Sequence, residues 1–210
     1  MLAINTALAQ TPDLKSLTAQ WVEWALSIPT SKNPQLDTTG ENCMVGQSGS
    51  IWFLAGVFNG GRTTRTCSVP ADRKLFFPVA NSFNFNTPNV CGQGSDNLTV
   101  AEMRASSAAF VGGVTSKSVK VDGQLVATIP RIQSIVFEVA LPEDNVFDAP
   151  CAPANVPAGI YSPAVDDGFY VLLGPLQVGS HIVRFSARNP KQGFVQDVTY
   201  NLTVVPVSLQ

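Results

Sequence analysis

The chain has little charge: Lys, Arg, Asp and Glu make up 13% of its 210 residues, and the net charge at neutral pH is -2. That is about half the usual charged share, so a folded surface must be built largely from Ser, Thr, Asn, Gln and Gly, as in extracellular folds. No run of Lys or Arg is interleaved with aromatics, which excludes nucleic acid as an expected partner. His181 is the only histidine, so neither a two- or three-histidine metal site nor a copper brace can be assembled. A Ser-His-Asp relay would have to use that same His181. No Gly-x-Ser-x-Gly elbow accompanies it, since Gly46-Gln47-Ser48-Gly49 lacks the spacing, and a structural role is expected for it. Long hydrophobic runs are missing too. Ile51 to Phe58 and Phe169 to Leu173 are strand length and far short of the roughly 20 residues of a membrane span.

Cysteines number four, at positions 43, 67, 91 and 151, with no Cys-x-x-Cys among them. An even number without metal or redox spacing reads as a disulfide framework, formed in an oxidising compartment. The start fits that reading. Leu2 to Ala9 are mostly apolar and end in the small-x-small signature Ala7-Leu8-Ala9, so residues 1 to 9 are expected to be the remnant of a signal peptide. Residues 10 to 210 then form one domain, secreted or periplasmic. Four cysteines allow three pairings, and proximity in sequence favours Cys43 with Cys67 and Cys91 with Cys151.

Two helices are expected. Thr11-Pro12-Asp13 reads as a helix start, and Leu14, Leu17, Trp21, Ala25 and Ile28 recur at helical spacing until Pro29. The second begins at the capping box Thr99-Val100-Ala101-Glu102, runs through Met103 to Val111 and ends at Gly112-Gly113. The rest reads as strand. Ile51 to Phe58 is apolar on both faces, as for a central strand covered on each side. Lys74 to Val79, Ser118 to Val121, Gln124 to Ile129, Ser134 to Ala140, Phe169 to Leu173, Ser180 to Ala187 and Asp197 to Val205 follow, with Asp122-Gly123 as a hairpin turn. In the last two, alternating dry and wet positions predict an antiparallel pair joined by Asn189 to Gly193. The expected fold is mainly β: a single-domain antiparallel β-sandwich, jelly-roll or Ig-like, with an N-terminal amphipathic helix and one short inserted helix.

Candidate chemistry lies in three groups. Asn81-Ser82-Phe83-Asn84-Phe85-Asn86-Thr87 alternates amides with rings, and aromatic faces beside amide donors and acceptors suit a neutral sugar ring; Trp24 adds a possible exposed platform. Carboxylates able to do acid and base work occur at Asp37 with Glu41 and at Asp166 with Asp167, though Asp166-Asp167-Gly168 and Pro142-Glu143-Asp144-Asn145 also read as turns. A lyase would pair Tyr161 with Arg131. No cofactor is implied, except that Asp144, Asn145, Asp166 and Asp167 offer oxygen ligands of the kind Ca2+ takes.

The runs Gln20 to Pro29, Asn33-Pro34, Asp37 to Gly40, Cys43, Gly46 to Gly49 and Trp52 to Gly56 together resemble a group of uncharacterised exported bacterial proteins. Cys67 to Pro70, Phe76 to Pro78, Pro142 to Asn145, Asp167 to Tyr170 and Gly179 to His181 extend the resemblance over most of the chain. It implies secretion and a single β-rich domain, and it brings no activity with it. The expected function is therefore an exported, disulfide-stabilised module that binds carbohydrate or another cell-surface polymer. Alternatives are a polysaccharide lyase or hydrolase using loop residues, and a subunit of an extracellular assembly that packs on copies of itself.

Overall fold

The computed structural model describes residues 12–207, so the expected signal-peptide remnant and Thr11 lie outside the described residues. Helix α1 (Leu14–Ser27) is capped by Asp13, whose carboxylate accepts from the backbone N–H of Lys15 at 3.2 Å and of Ser16 at 3.3 Å. Pro12 therefore precedes the helix instead of opening it. The far end is closed by buried Asn33, whose Nδ2 donates to the carbonyls of Ala25 and Ile28.

Among the described residues ten strands follow, in two sheets. The first contains β1 (Ile51–Phe53), β3 (Lys74–Phe85), β6 (Arg131–Gln133), β7 (Phe137–Leu141) and β8 (Gly159–Leu173), ordered β1-β3-β8 with β6 and β7 both pairing the far edge of β8. The second is ordered β2 (Gly61–Pro70), β10 (Phe194–Val205), β9 (Gly179–Asn189), β4 (Ser116–Val121), β5 (Gln124–Leu125). Each sheet is antiparallel except for one parallel edge pair, β1 with β3 and β2 with β10. The terminal hairpin is as the alternation predicts. Its turn closes at Gly193, where φ of +63° favours a residue without a Cβ.

Phe77, Leu75 and Val171 of the first sheet meet Phe185, Val198 and Leu202 of the second in the core between the sheets, where Phe77 stacks on Phe185 at 4.8 Å. The opposite face of the first sheet carries Phe76 stacked on Tyr170 at 5.2 Å, covered by Leu17, Trp21 and Ala25 of α1. Helix α2 (Val100–Gly112) opens with the expected capping box and packs on β3 and β8. A one-turn helix α3 (Asp148–Cys151) and the loop after β3 are joined by the disulfide Cys91–Cys151, while Cys43–Cys67 ties the loop after α1 to β2.

Several strand and turn expectations change. Ser134 to Ala140 becomes strand only from Phe137 onward. Ile51 to Phe58 is not a central strand: β1 stops at Phe53 on the sheet edge, and the chain beyond it is held by side chains. Asp166-Asp167-Gly168 is not a turn but the middle of the 15-residue β8, where Gly168 lies so close to β3 that a Cβ would meet Asn81 Cβ at 2.5 Å. Gln124 to Ile129 contributes only two strand residues. Strand β2 has no counterpart in the sequence reading because a core-facing position on it is Arg65, 1% exposed.

The Arg65 guanidinium donates to Ala55 O (2.6 Å), Asp37 O (2.7 Å), Gly56 O (3.0 Å) and Tyr200 Oη (2.9 Å). Among the described residues no carboxylate pairs with it; carbonyl dipoles take the charge. Arg65→Met keeps most of the volume but strands these acceptors, each buried orphan costing about 1–3 kcal/mol. Urea unfolding should therefore show a loss of at least about 3 kcal/mol; a loss below about 1 kcal/mol would mean that solvent or neighbours replace the network.

Candidate functional site

Beyond Phe76, β3 has no strand on its β1 side. A cavity of about 490 Å³ lies along that open edge, within the roughly 300–1,000 Å³ range of small-ligand sites. Its floor is Pro78 to Phe83 of β3. One wall comes from the loop after α1 and the segment after β1, through Gln35 and Phe58, with Phe147 beside them; the other comes from the β9–β10 turn, through Gln192 and Phe194. Phe58 and Phe147 meet edge-to-face at 5.6 Å, and Phe147 meets Phe83 the same way at 6.2 Å. The rings are braced against each other, so this wall is preformed.

A β-bulge decides which side chains reach the cavity. Its register shift falls between Pro78 and Ala80, and Val79 and Ala80 both face the second sheet. The pleat is reversed beyond it, so Phe83 and Phe85 pack on the α1 side while Asn84 reaches α2, donating to Ser107 Oγ at 2.6 Å. Phe83 and Phe85 lie parallel, 6.5 Å apart.

Polar groups in the cavity differ in what they have left to offer. Gln196 is used at both ends, accepting from Val57 N–H at 3.0 Å and donating to Val79 O at 2.7 Å. Asn81 Nδ2 is committed to Asp166 Oδ1 at 2.8 Å. Gln35 is only 5% exposed, lines the cavity, and its buried Nε2 has no partner.

The sequence-derived binding segment is thus divided. Asn81 and Phe83 line the cavity, whereas Asn84 and Phe85 border a second hollow of about 650 Å³ in the loop that follows β3. Asn86 is structural in that loop, donating to Leu98 O and accepting from Leu98 N–H and Gln93 Nε2. Trp24 is not an exposed platform: it is 7% exposed, lies against Phe53 at 5.4 Å and donates Nε1–H to Val45 O. Nearly the whole circumference of α1 is covered, which leaves no face for a platform.

The candidate acid and base residues are not brought together. The Asp37 carboxyl closes its own loop by accepting from the N–H of Thr39, Gly40 and Asn42. Burial raises its pKa, but these hydrogen bonds outweigh burial and hold it below the usual carboxylate range. Glu41 is exposed nearby. Arg131 pairs in register with Phe169, eight residues along β8 from Tyr161, a separation of about 26 Å. Tyr161 Oη donates to Pro157 O, and Arg131 forks onto Asp167 at 2.9 and 2.7 Å. His181 sits at the end of β9 with Asp122 on one ring nitrogen and Gln177 O on the other; these two acceptors raise its pKa.

Nor are the calcium candidates gathered. Asp144 accepts from Ser31 N–H and Asn145 holds Pro142 O and Val156 O, remote in the fold from Asp166 and Asp167, which point to opposite faces of β8. Among the described residues no group of three His, Cys, Asp or Glu side chains is placed to hold a metal ion.

The residues that sequence reasoning missed are Gln35, Phe58, Phe147, Gln192 and Phe194. Asn59-Gly60-Gly61 and Asn189 to Gly193 are legible as turns, but nothing in the chain signals that these turns meet. No family model, curated protein or solved structure matches the chain.

Asp166, behind the cavity floor, is fully buried and accepts from Tyr170 Oη at 2.7 Å as well as from Asn81. Burial pushes its pKa up to about 7, against the pull of those two hydrogen bonds. Between its ordinary value of 3.8 and about 7 the folded chain then holds a proton that the unfolded chain releases. Stability should fall as pH rises through that window and level off above it, by up to about 1.4 kcal/mol per pH unit. Asp166→Asn should match the wild type near pH 4 and exceed it at pH 8 in urea unfolding. A difference that does not change with pH would contradict titration of this group.

Proposed function

We propose that the cavity beside β3 binds a sugar residue of an extracellular polymer, making the protein an exported carbohydrate-binding module. Two disulfides support this reading, since such bridges persist in oxidising compartments, where such polymers are met. The observation that carries the reading is Gln35: an unpartnered, buried amide donor in the wall of a cavity lined by phenylalanine rings. A buried donor without an acceptor costs about 1–3 kcal/mol, and a ligand that supplies the acceptor recovers it once the amide turns towards the cavity.

The remaining chemistry narrows the ligand. One N–H of the Asn81 amide is used on Asp166, which leaves the group its second N–H and its carbonyl, while Gln35 is left with a donor. A hydroxyl satisfies either kind, and a ring bearing several of them satisfies both at once. Its C–H faces would lie on Phe83 or Phe58. No charged side chain lines the cavity, which favours a neutral sugar over an anionic one.

Three variants test this in a glycan-panel titration. Gln35→Met removes the orphan donor, so the unliganded protein should gain about 1–3 kcal/mol while affinity falls. Gln192→Ala, on the exposed rim, should weaken binding with stability unchanged. Binding by the wild type that survives Gln35→Met, Gln192→Ala and Phe83→Ala alike would place the ligand elsewhere. No binding across neutral mono- and oligosaccharides would end the proposal.

A further inference from the structure

The helices pack on the first sheet, leaving the outer face of the second to solvent. Its outward positions form a grid fixed by the strand registers. Lys120 stands opposite Arg184, which stands opposite Thr199 and then Thr64; one row on, Ser186 stands opposite Asp197 and then Arg62. Arg188 adjoins that row on β9. The outward cations Arg62, Lys120, Arg184 and Arg188 share the face with a single strand carboxylate, Asp197, and with Asp122 in the β4–β5 turn. This is an excess of positive charge on a chain whose net charge is -2.

Those charges are poorly compensated within the protein. Asp197 forks onto Arg184 at 2.9 and 2.8 Å, and Arg62 and Arg188 lie near enough to help hold its carboxyl below the usual range. One carboxylate thus serves three guanidinium groups. Lys120, Arg62 and Arg188 have no ion-pair partner among the described residues. Lys120 lies directly across from Arg184, and like charges in that relation weaken a sheet. Folding alone gives no reason for this arrangement.

The rest of the face sets the partner's chemistry. Its outward neutral residues are mostly Ser, Thr and Asn, notably Thr64, Thr66, Thr199, Asn201 and Thr203, and no aromatic side chain stands among the outward positions. Unpaired bases would find nothing to stack on, and a lipid surface would find only the scattered Ile182, Leu125 and Val205 to take up. Hydroxylated polymers carrying anionic groups match both the cations and the hydroxyl rows. From β2 to β4 the cations span three strand spacings, about 14 Å, enough to meet more than one anionic group on an extended chain.

We propose that the outer face of the second sheet binds an acidic polysaccharide, with its carboxylate or sulfate groups on Arg62, Lys120, Arg184 and Arg188 and its hydroxyls on the Thr and Asn rows between them. This surface is separate from the cavity and uses none of its residues.

Titration with polygalacturonate and with dextran sulfate tests it, with neutral dextran and a DNA duplex as comparisons. At least one acidic polysaccharide should bind, neutral dextran should not, and affinity should fall as salt rises from 50 to 500 mM. Polygalacturonate alone would identify carboxylate as the group read; dextran sulfate alone would identify sulfate. The Lys120→Ser, Arg188→Ser double variant should lose roughly tenfold in affinity, with urea stability equal to or above that of the wild type. Failure of both acidic polymers, indifference to the double variant, or tighter binding of the duplex than of either polysaccharide would overturn the proposal. Phe83→Ala should leave this binding intact, so the cavity and the sheet face fail or succeed separately.

Discussion

The buried guanidinium of Arg65 is the interaction on which the functional end of this fold depends. It rises from β2 and gathers carbonyls from the loop after α1, at Asp37, and from the segment after β1, at Ala55 and Gly56, with the Tyr200 hydroxyl of β10 as a further partner. A planar fork with five donors is suited to irregular backbone, because it imposes fixed directions on groups that no ladder organises. Its ring partner also carries some of the charge, since the guanidinium lies 5.5 Å from the Tyr200 ring centre. The cavity wall bearing Gln35 and Phe58 is the same backbone that Arg65 holds. Gln35 O accepts from Phe58 N–H, joining the two wall segments directly.

The same device recurs wherever the first sheet ends early. Gln47 accepts from Phe53 N–H and donates to Phe53 O, so its amide takes the place of a neighbouring strand on β1. Gln196 does this for Val57 N–H and Val79 O, and the Tyr200 hydroxyl bonds the backbone of Ala55. Side-chain amides satisfy the edge without extending it, which protects it from pairing with other chains. They also leave space. A full-length β1 would have filled the strip alongside Pro78 to Phe83; a short one braced by side chains leaves the cavity there.

What the sequence disclosed follows from how local each cause is. The α2 capping box and the β9–β10 alternation lie within a few residues of one another, and both are found where they are expected. The cysteine pairing is as proximity suggests. Strand β2 was hidden because Arg65 interrupts the apolar set that Cys67 and Val69 complete, and a charge at a core position reads as surface. Asp166 and Asp167 misled in the same way: two carboxylates before a glycine have the composition of a turn, and only long-range partners make them strand. Half of the cavity floor was visible in Asn81 and Phe83, since alternation is local, but the bulge that turns them towards the cavity is a feature of pairing with β8.

Asp166 and Asp167 show how one strand can bury two neighbouring carboxyl groups. Consecutive residues on β8 face opposite sides, so the two groups meet different environments. Asp167 has the Arg131 guanidinium and the Gln133 amide as partners on its side. Asp166 has only the neutral donors Tyr170 and Asn81, and its cost of burial is lowered by a proton instead. That difference bears on the cavity, because Asn81 belongs to both. The bond from Asn81 Nδ2 to Asp166 sets how this floor amide is turned, where an unbonded amide would rotate freely. Under the proposed sugar binding, the buried carboxyl would act on recognition without touching the ligand, by biasing how its neighbour presents itself.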